Sequence, residues 1–185
     1  IMRRALFADE PLQGGGGSGG GGNGNGQGFA PTAGTWSVEN GVYNASTTLD
    51  GEAVSIFPLD EQQPTYMEIL ATINADKDKA GFKSNGYIIF DMQSENEFKF
   101  AGVEVGTDKI QIGQHSAENG WEVLTQTNLQ LKHETDYDLT LVMYGTVATL
   151  YVDQANATAF DFGAALNTGY VGLGTDNSIT RFDDW

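Results

Sequence analysis

The side chains of this sequence that could do chemistry are a few clustered carboxylates, two histidines and one tryptophan beside a turn. Asp91, Glu95 and Glu97 form a local acidic cluster. Two carboxylates sharing one face could divide general-acid and general-base roles. Here Gln93-Ser94-Glu95-Asn96 reads as a turn, which sends these carboxylates into solvent, so no catalytic residue is expected. His115 and His133 each stand alone. Neither has a second His or Cys at metal-ligand spacing, and no nucleophile elbow is visible. Both are expected as surface histidines in loops. Trp121 follows Asn119-Gly120, with His115 and Glu118 close by in sequence. An aromatic face flanked by hydrogen-bonding groups is what a sugar ring needs. Trp121, His115 and Asn119 are therefore the candidate ligand-binding set.

Charge narrows the partners. Lys and Arg number 9 against 25 Asp and Glu, a formal net charge of −16. Phosphate neutralisation needs a basic face, so no nucleic-acid partner is expected. The acid excess favours cations, calcium first among them. Two stretches imitate calcium loops, Asn23-Gly24-Asn25-Gly26-Gln27-Gly28 and Asn74-Ala75-Asp76-Lys77-Asp78. The first has amides where carboxylates are needed. The second is offset by lysine and lacks a late glutamate, so both are read as solvated segments. No cysteine is present, which excludes disulfides and thiolate metal sites. No run of eighteen apolar residues occurs, so no membrane insertion is expected.

These residues must be positioned by strands. Residues 1–28 form a head and a glycine tract in which 11 of the 15 residues from 14 to 28 are Gly, a composition that suits a flexible coil. Residues 29–185 change character. Aromatic and β-branched residues recur, with turn signals about every eight to twelve residues, the pattern of an all-β sandwich or barrel. Asn40-Gly41 marks a hairpin between strands 35–38 and 42–45. In 66–73 the alternation turns Met67, Ile69, Ala71 and Ile73 inward. Residues 86–90 are continuously apolar, as in a central strand. Further strands are expected at 53–57, 98–105, 109–113, 121–127, 137–144, 148–152, 170–174 and 179–185.

The order of these elements resembles the concanavalin A-like lectin/glucanase (laminin-G-like) jelly rolls. The matching stretches are Gly34-Thr35-Trp36-Ser37-Val38-Glu39-Asn40-Gly41-Val42-Tyr43, Gly86-Tyr87-Ile88-Ile89-Phe90-Asp91 with Phe98-Lys99-Phe100-Ala101-Gly102, Thr149-Leu150-Tyr151-Val152-Asp153, Gly169-Tyr170-Val171-Gly172-Leu173-Gly174, and Arg181-Phe182-Asp183-Asp184-Trp185. The resemblance implies an antiparallel jelly-roll β-sandwich. In the head, Arg3-Arg4-Ala5-Leu6-Phe7-Ala8-Asp9 resembles a short segment at the start of some large secreted bacterial surface proteins, with Met2-Arg3 standing where that segment has Glu-Pro.

The glucanases of this family carry a Glu-x-Asp-x-x-Glu strand, and this sequence has none. The resemblance therefore implies a non-catalytic extracellular or bacterial cell-surface module for carbohydrate binding or adhesion, binding a glycan or another cell-surface ligand. A glycoside-acting hydrolase and a ligand-free spacer are the alternatives. It also implies a structural calcium ion where the first and last strands meet. Its ligands would be Asp183 or Asp184 from the end of the chain, with Asp9 and Glu10 from the head. A groove lined by Trp121 without paired carboxylates would fit a lectin. Paired carboxylates would fit an enzyme, and a filled concave face a spacer.

Overall fold

The computed structural model describes residues 28–59, 63–76 and 79–184. The head, the glycine tract to residue 27, and with them Asp9, Glu10 and the first calcium-like stretch up to Gln27 lie outside the described residues.

Alternating residues form the strands in chain order: β1 (Ala30–Ala33), β2 (Thr35–Glu39), β3 (Val42–Ser46), β4 (Glu52–Phe57), β5 (Tyr66–Ala75), β6 (Asn85–Ser94), β7 (Glu97–Glu104), β8 (Lys109–Ser116), β9 (Gly120–Asn128), β10 (Tyr137–Tyr144), β11 (Val147–Val152), β12 (Asn156–Asp161), β13 (Tyr170–Asp176) and β14 (Ile179–Asp183). They build two antiparallel seven-stranded sheets. The first runs β1-β4-β13-β6-β7-β8-β9 and the second β12-β11-β10-β5-β14-β3-β2. This is the expected all-β sandwich.

The inward parity of β5 is the one read from the sequence. Met67, Ile69, Ala71 and Ile73 are buried in the core between the sheets, with Leu139, Leu141 and Phe182 from the strands beside β5. Across from them the first sheet contributes Ile88, Phe90, Ala101, Val103, Ile110 and Ile112. The continuous apolar run of β6 also has its reason. β6 is the middle strand of its sheet, and both its faces are covered. Ile88 and Phe90 enter the main core, while Tyr87 and Ile89 enter a smaller cluster on the opposite face with Phe98 and Phe100.

Two strands were not anticipated. β1 and β12 are edge strands of their sheets and bury few side chains; in β12 only Thr158 is fully buried. Without a buried face there is no alternation to read. His115 is also corrected: it lies within β8 and is buried, not in an exposed loop.

Candidate functional site

The outer face of the first sheet is shaped by where glycine falls among large rings. Gly113 lies in β8 beneath Phe100 of β7, and a Cβ there would sit 2.3 Å from Phe100 Cζ. The missing side chain lets the ring lie flat and lets the sheet roll over it. The extent of the roll can be measured. Trp121 is the second residue of β9 and Glu52 the first of β4, and four strands stand between them in the sheet. A flat sheet would hold β9 and β4 about 24 Å apart, at roughly 4.8 Å per strand spacing. Instead Trp121 Nε1 donates to Glu52 Oε2 at 2.8 Å. The sheet therefore curls until two of its corners meet across its own concave face.

What lies under that contact is a packed second core. The Trp121 ring is 4.9 Å from Phe100, 5.2 Å from Phe98 and 5.4 Å from Tyr87, centroid to centroid. His115 stacks on Phe98 at 4.5 Å with nearly parallel rings. Its Nδ1 is 3.1 Å from the Asn96 carbonyl, and its Nε2 is 3.4 Å from Glu52 Oε2. Trp121 and His115 thus come together as the sequence suggested, but as packing around Glu52. Asn119 stays exposed in the β8–β9 turn, where its backbone N–H donates to Ser116 Oγ. At this corner the concave face is filled.

Further along the same face is a polar row. Tyr87 Oη donates to Gln111 Oε1 at 3.1 Å, and Gln111 Nε2 donates to Gln126 Oε1 at 3.3 Å. Asn85 Nδ2 donates to Glu104 Oε2 at 3.1 Å. Burial lifts the Glu104 carboxyl above the ordinary glutamate value, and the Asn85 amide and Lys83 charge only partly oppose this. Burial pushes the Tyr87 hydroxyl well up as well, reinforced by the charges of Glu104 and Asp176. These groups satisfy one another within the fold.

The open site is elsewhere on the same sheet, where β6 ends beside the start of β13. A bulge interrupts β6 here. Its pairing with β7 shifts between Phe90 and Ser94, and its pairing with β13 shifts at Tyr170. Asp91 takes a left-handed φ of 47°. Bulges re-aim side chains, and this one turns the Asp91 carboxylate into a buried junction. Asp91 is 5% exposed and pairs with Lys99 through Oδ2. Its Oδ1 accepts from Gln93 Nε2 at 2.9 Å and Thr168 Oγ1 at 3.0 Å. Gln93 Nε2 also donates to Thr168 Oγ1 at 3.0 Å. Gly169 passes so close to the bulge that a Cβ would lie 2.5 Å from Met92 N.

Around this junction is a pocket of about 380 Å³. Leu59 and Met92 give it apolar walls, Gln93, Asn167 and Thr168 polar ones, and Tyr170 an aromatic edge. Tyr170 is 45% exposed. Asp91 belongs to the acidic cluster read from the sequence, but Glu95 and Glu97 are exposed while Asp91 is buried. Sequence reasoning passed over this site. Its residues come from three separate stretches, and the one local sign was the turn after Gln93.

The other candidates have structural partners. His133 Nδ1 is 2.9 Å from Ser84 Oγ, in a turn before β10. At the end of the chain, Phe182 fills the core-facing position, Asp183 is half-buried, and Asp184 is exposed with its N–H donating to Asp183 Oδ1. Calcium requires about six to eight oxygens. Among the described residues no three His, Asp or Glu side chains gather to hold a metal. Asp9 and Glu10, the other two ligands of the expected site, lie outside the described residues.

No family model matches the chain, and no curated protein does. Solved structures do. A carbohydrate-binding module, CBM66 from Bacillus subtilis, superposes with a TM-score of 0.72 at 14% identity, covering 85% of this chain and 92% of that one. The metal-free carbohydrate recognition domain of Emp46p gives 0.62 at 10% identity, over 86% of this chain and 90% of that one. A Bacillus subtilis protein of unknown function with a galectin-like fold gives 0.60 at 9% identity, over 84% and 86%. The fold is a galectin-like jelly roll. At these identities the likeness is one of architecture, in keeping with the concanavalin A-like resemblance of the strand order.

Proposed function

We propose that the chain is a non-catalytic carbohydrate-binding module whose ligand enters the pocket beside Tyr170. The observation that carries this reading is the pocket itself. It combines an exposed aromatic ring, apolar walls and side-chain amide groups on the rim of a lectin-type sandwich. Two of the structural neighbours are named for carbohydrate binding, which supports the ligand class. Asp91, the buried carboxylate that holds Gln93 and Thr168 of the pocket wall, is also tied to Lys99, which leaves it poorly placed for acid–base chemistry. An extracellular or bacterial cell-surface setting belongs to the proposal, because that is where a glycan-binding module would meet its ligand.

The test is affinity electrophoresis through gels containing soluble polysaccharides, together with a printed glycan array. Retardation by at least one polysaccharide, lost in Tyr170→Ala, is the expected result. Uniform failure to bind would favour a spacer. Release of reducing ends from a retained polysaccharide would favour a hydrolase.

A further inference from the structure

The chemistry of the pocket wall specifies more than the ligand class. Asp91, which holds the Gln93 and Thr168 side chains, is paired with Lys99, and both N–H groups of the Gln93 amide are used within the protein. The Asn167 amide nitrogen donates to the Gln63 carbonyl at 2.8 Å. The oxygens of the same two amides, Gln93 Oε1 and Asn167 Oδ1, have no hydrogen-bond partner among the described residues. The polar wall therefore offers these two acceptors, beside the second Asn167 N–H and the Tyr170 hydroxyl. A carboxylate or sulfate, which can only accept, leaves the two amide oxygens without a partner. A sugar hydroxyl, which donates as well as accepts, satisfies them. Glu95 and Glu97 stand exposed in the β6–β7 turn nearby, and the chain carries −16. That field repels polyanions.

Size gives the second constraint. At about 380 Å³ the pocket lies near the lower end of the roughly 300–1,000 Å³ range for ligand sites, room for about one or two sugar rings. The concave face that could have carried a longer chain is filled at its β9 corner by Trp121.

Resting on the carbohydrate-binding reading, we propose that this pocket takes the terminal residue of a neutral glycan, stacked on Tyr170 and held through its hydroxyls by the Gln93 and Asn167 side-chain oxygens. The experiment is titration calorimetry of the full chain. The probes are neutral methyl hexosides and deoxyhexosides, the matching uronic acids and amino sugars, and neutral oligosaccharides from disaccharide to hexasaccharide. At least one neutral glycoside should bind about tenfold more tightly than its uronic acid. Its affinity should change by less than about threefold as the chain lengthens, because only the end residue is held. Tyr170→Ala should weaken binding about tenfold or more, Tyr170→Phe should retain it, and Gln93→Ala should weaken it. Tyr144→Ala, on the far sheet and 67% exposed, serves as the control and should have no effect. Unfolding midpoints close to that of the parent protein show that the variants are folded.

Affinity rising tenfold or more with chain length would overturn the end-binding proposal and leave the carbohydrate reading standing. A preference for uronic acids or free amino sugars would overturn the neutral-ligand proposal in the same way. Binding lost in Trp121→Ala but kept in Tyr170→Ala would move the site to the other corner. No heat with any probe, and no retention on the glycan array, would remove both.

Discussion

Two aromatic residues stand at the same end of the first sheet and meet different fates. Trp121 stands second in β9 and Tyr170 opens β13, each just after a glycine-bearing turn or loop. Trp121 is drawn over the concave face, packs on Phe98, Phe100 and Tyr87, and gives its indole N–H to Glu52. Tyr170 keeps an open ring beside a polar pocket. Their local sequences do not separate them. What separates them is the sheet. Glycine-backed rolling closes the β9 corner, while the β6 bulge at Asp91 breaks the ladder beside Tyr170 and holds a gap open. An aromatic beside a turn becomes a binding surface only where the sheet fails to fold back on it.

The contrast can be broken or sharpened by substitution. The largest effect is expected at the closed corner. Phe100→Ala removes a ring that is 1% exposed and should cost about 3–5 kcal/mol, read from urea unfolding. Trp121→Ala should cost about 2–4 kcal/mol, because the ring is only partly buried but its loss also strands Glu52 beside His115. Glycan affinity measured well below the unfolding midpoint should be unchanged in Trp121→Ala. A selective loss of affinity there would erase the distinction between the two corners.

At the open corner the balance is reversed. Gly169→Ala forces a Cβ against the backbone of the bulge and should cost about 1–3 kcal/mol while displacing the pocket wall. Its unfolding midpoint and its glycan affinity should fall together. Tyr170→Ala should change stability by no more than about 0.5 kcal/mol while reducing binding. A large stability loss would mean that Tyr170, too, is core.

The smallest effect concerns Glu104, at the far end of the concave face. Burial raises its folded-state pKa above the unfolded value, so the fold favours the protonated form. That stabilisation is complete below the unfolded pKa and is lost as pH rises through the folded one. Glu104→Gln does not titrate. Parent minus variant stability should therefore fall as pH rises above about 4, the ordinary glutamate range, and level off once the folded-state carboxyl has ionised. Urea midpoints across that rise measure it, and a difference that grows with pH would show the sign to be wrong.

Much of the sandwich is legible in the chain because burial imposes a period. The inward set of β5 and the doubly buried run of β6 are written as hydrophobic spacing, and the Asn40-Gly41 hairpin as turn chemistry. The edge strands β1 and β12 escape because their side chains are mostly uncovered, and a strand with little to bury leaves no alternation. His115 looked like a loop residue because it lies between Gly113 and the turn-like run Ser116-Ala117-Glu118-Asn119-Gly120. Only the partner strand shows why a polar ring is buried there, since Phe98 supplies the surface it stacks on.

For the site, the sequence by itself determined the materials: an acidic chain without cysteine, aromatic residues at strand starts, and a turn after Gln93. Which aromatic would remain open was decided only by tertiary structure. The Tyr170 pocket joins Leu59, Met92 and Gln93, and Asn167 to Tyr170, from three stretches that meet through the β6–β13 pairing. The Trp121–Glu52 contact joins corners of one sheet through its roll. Both depend on the accumulated twist of many strands, a property of the assembled sheet that no local window of residues encodes.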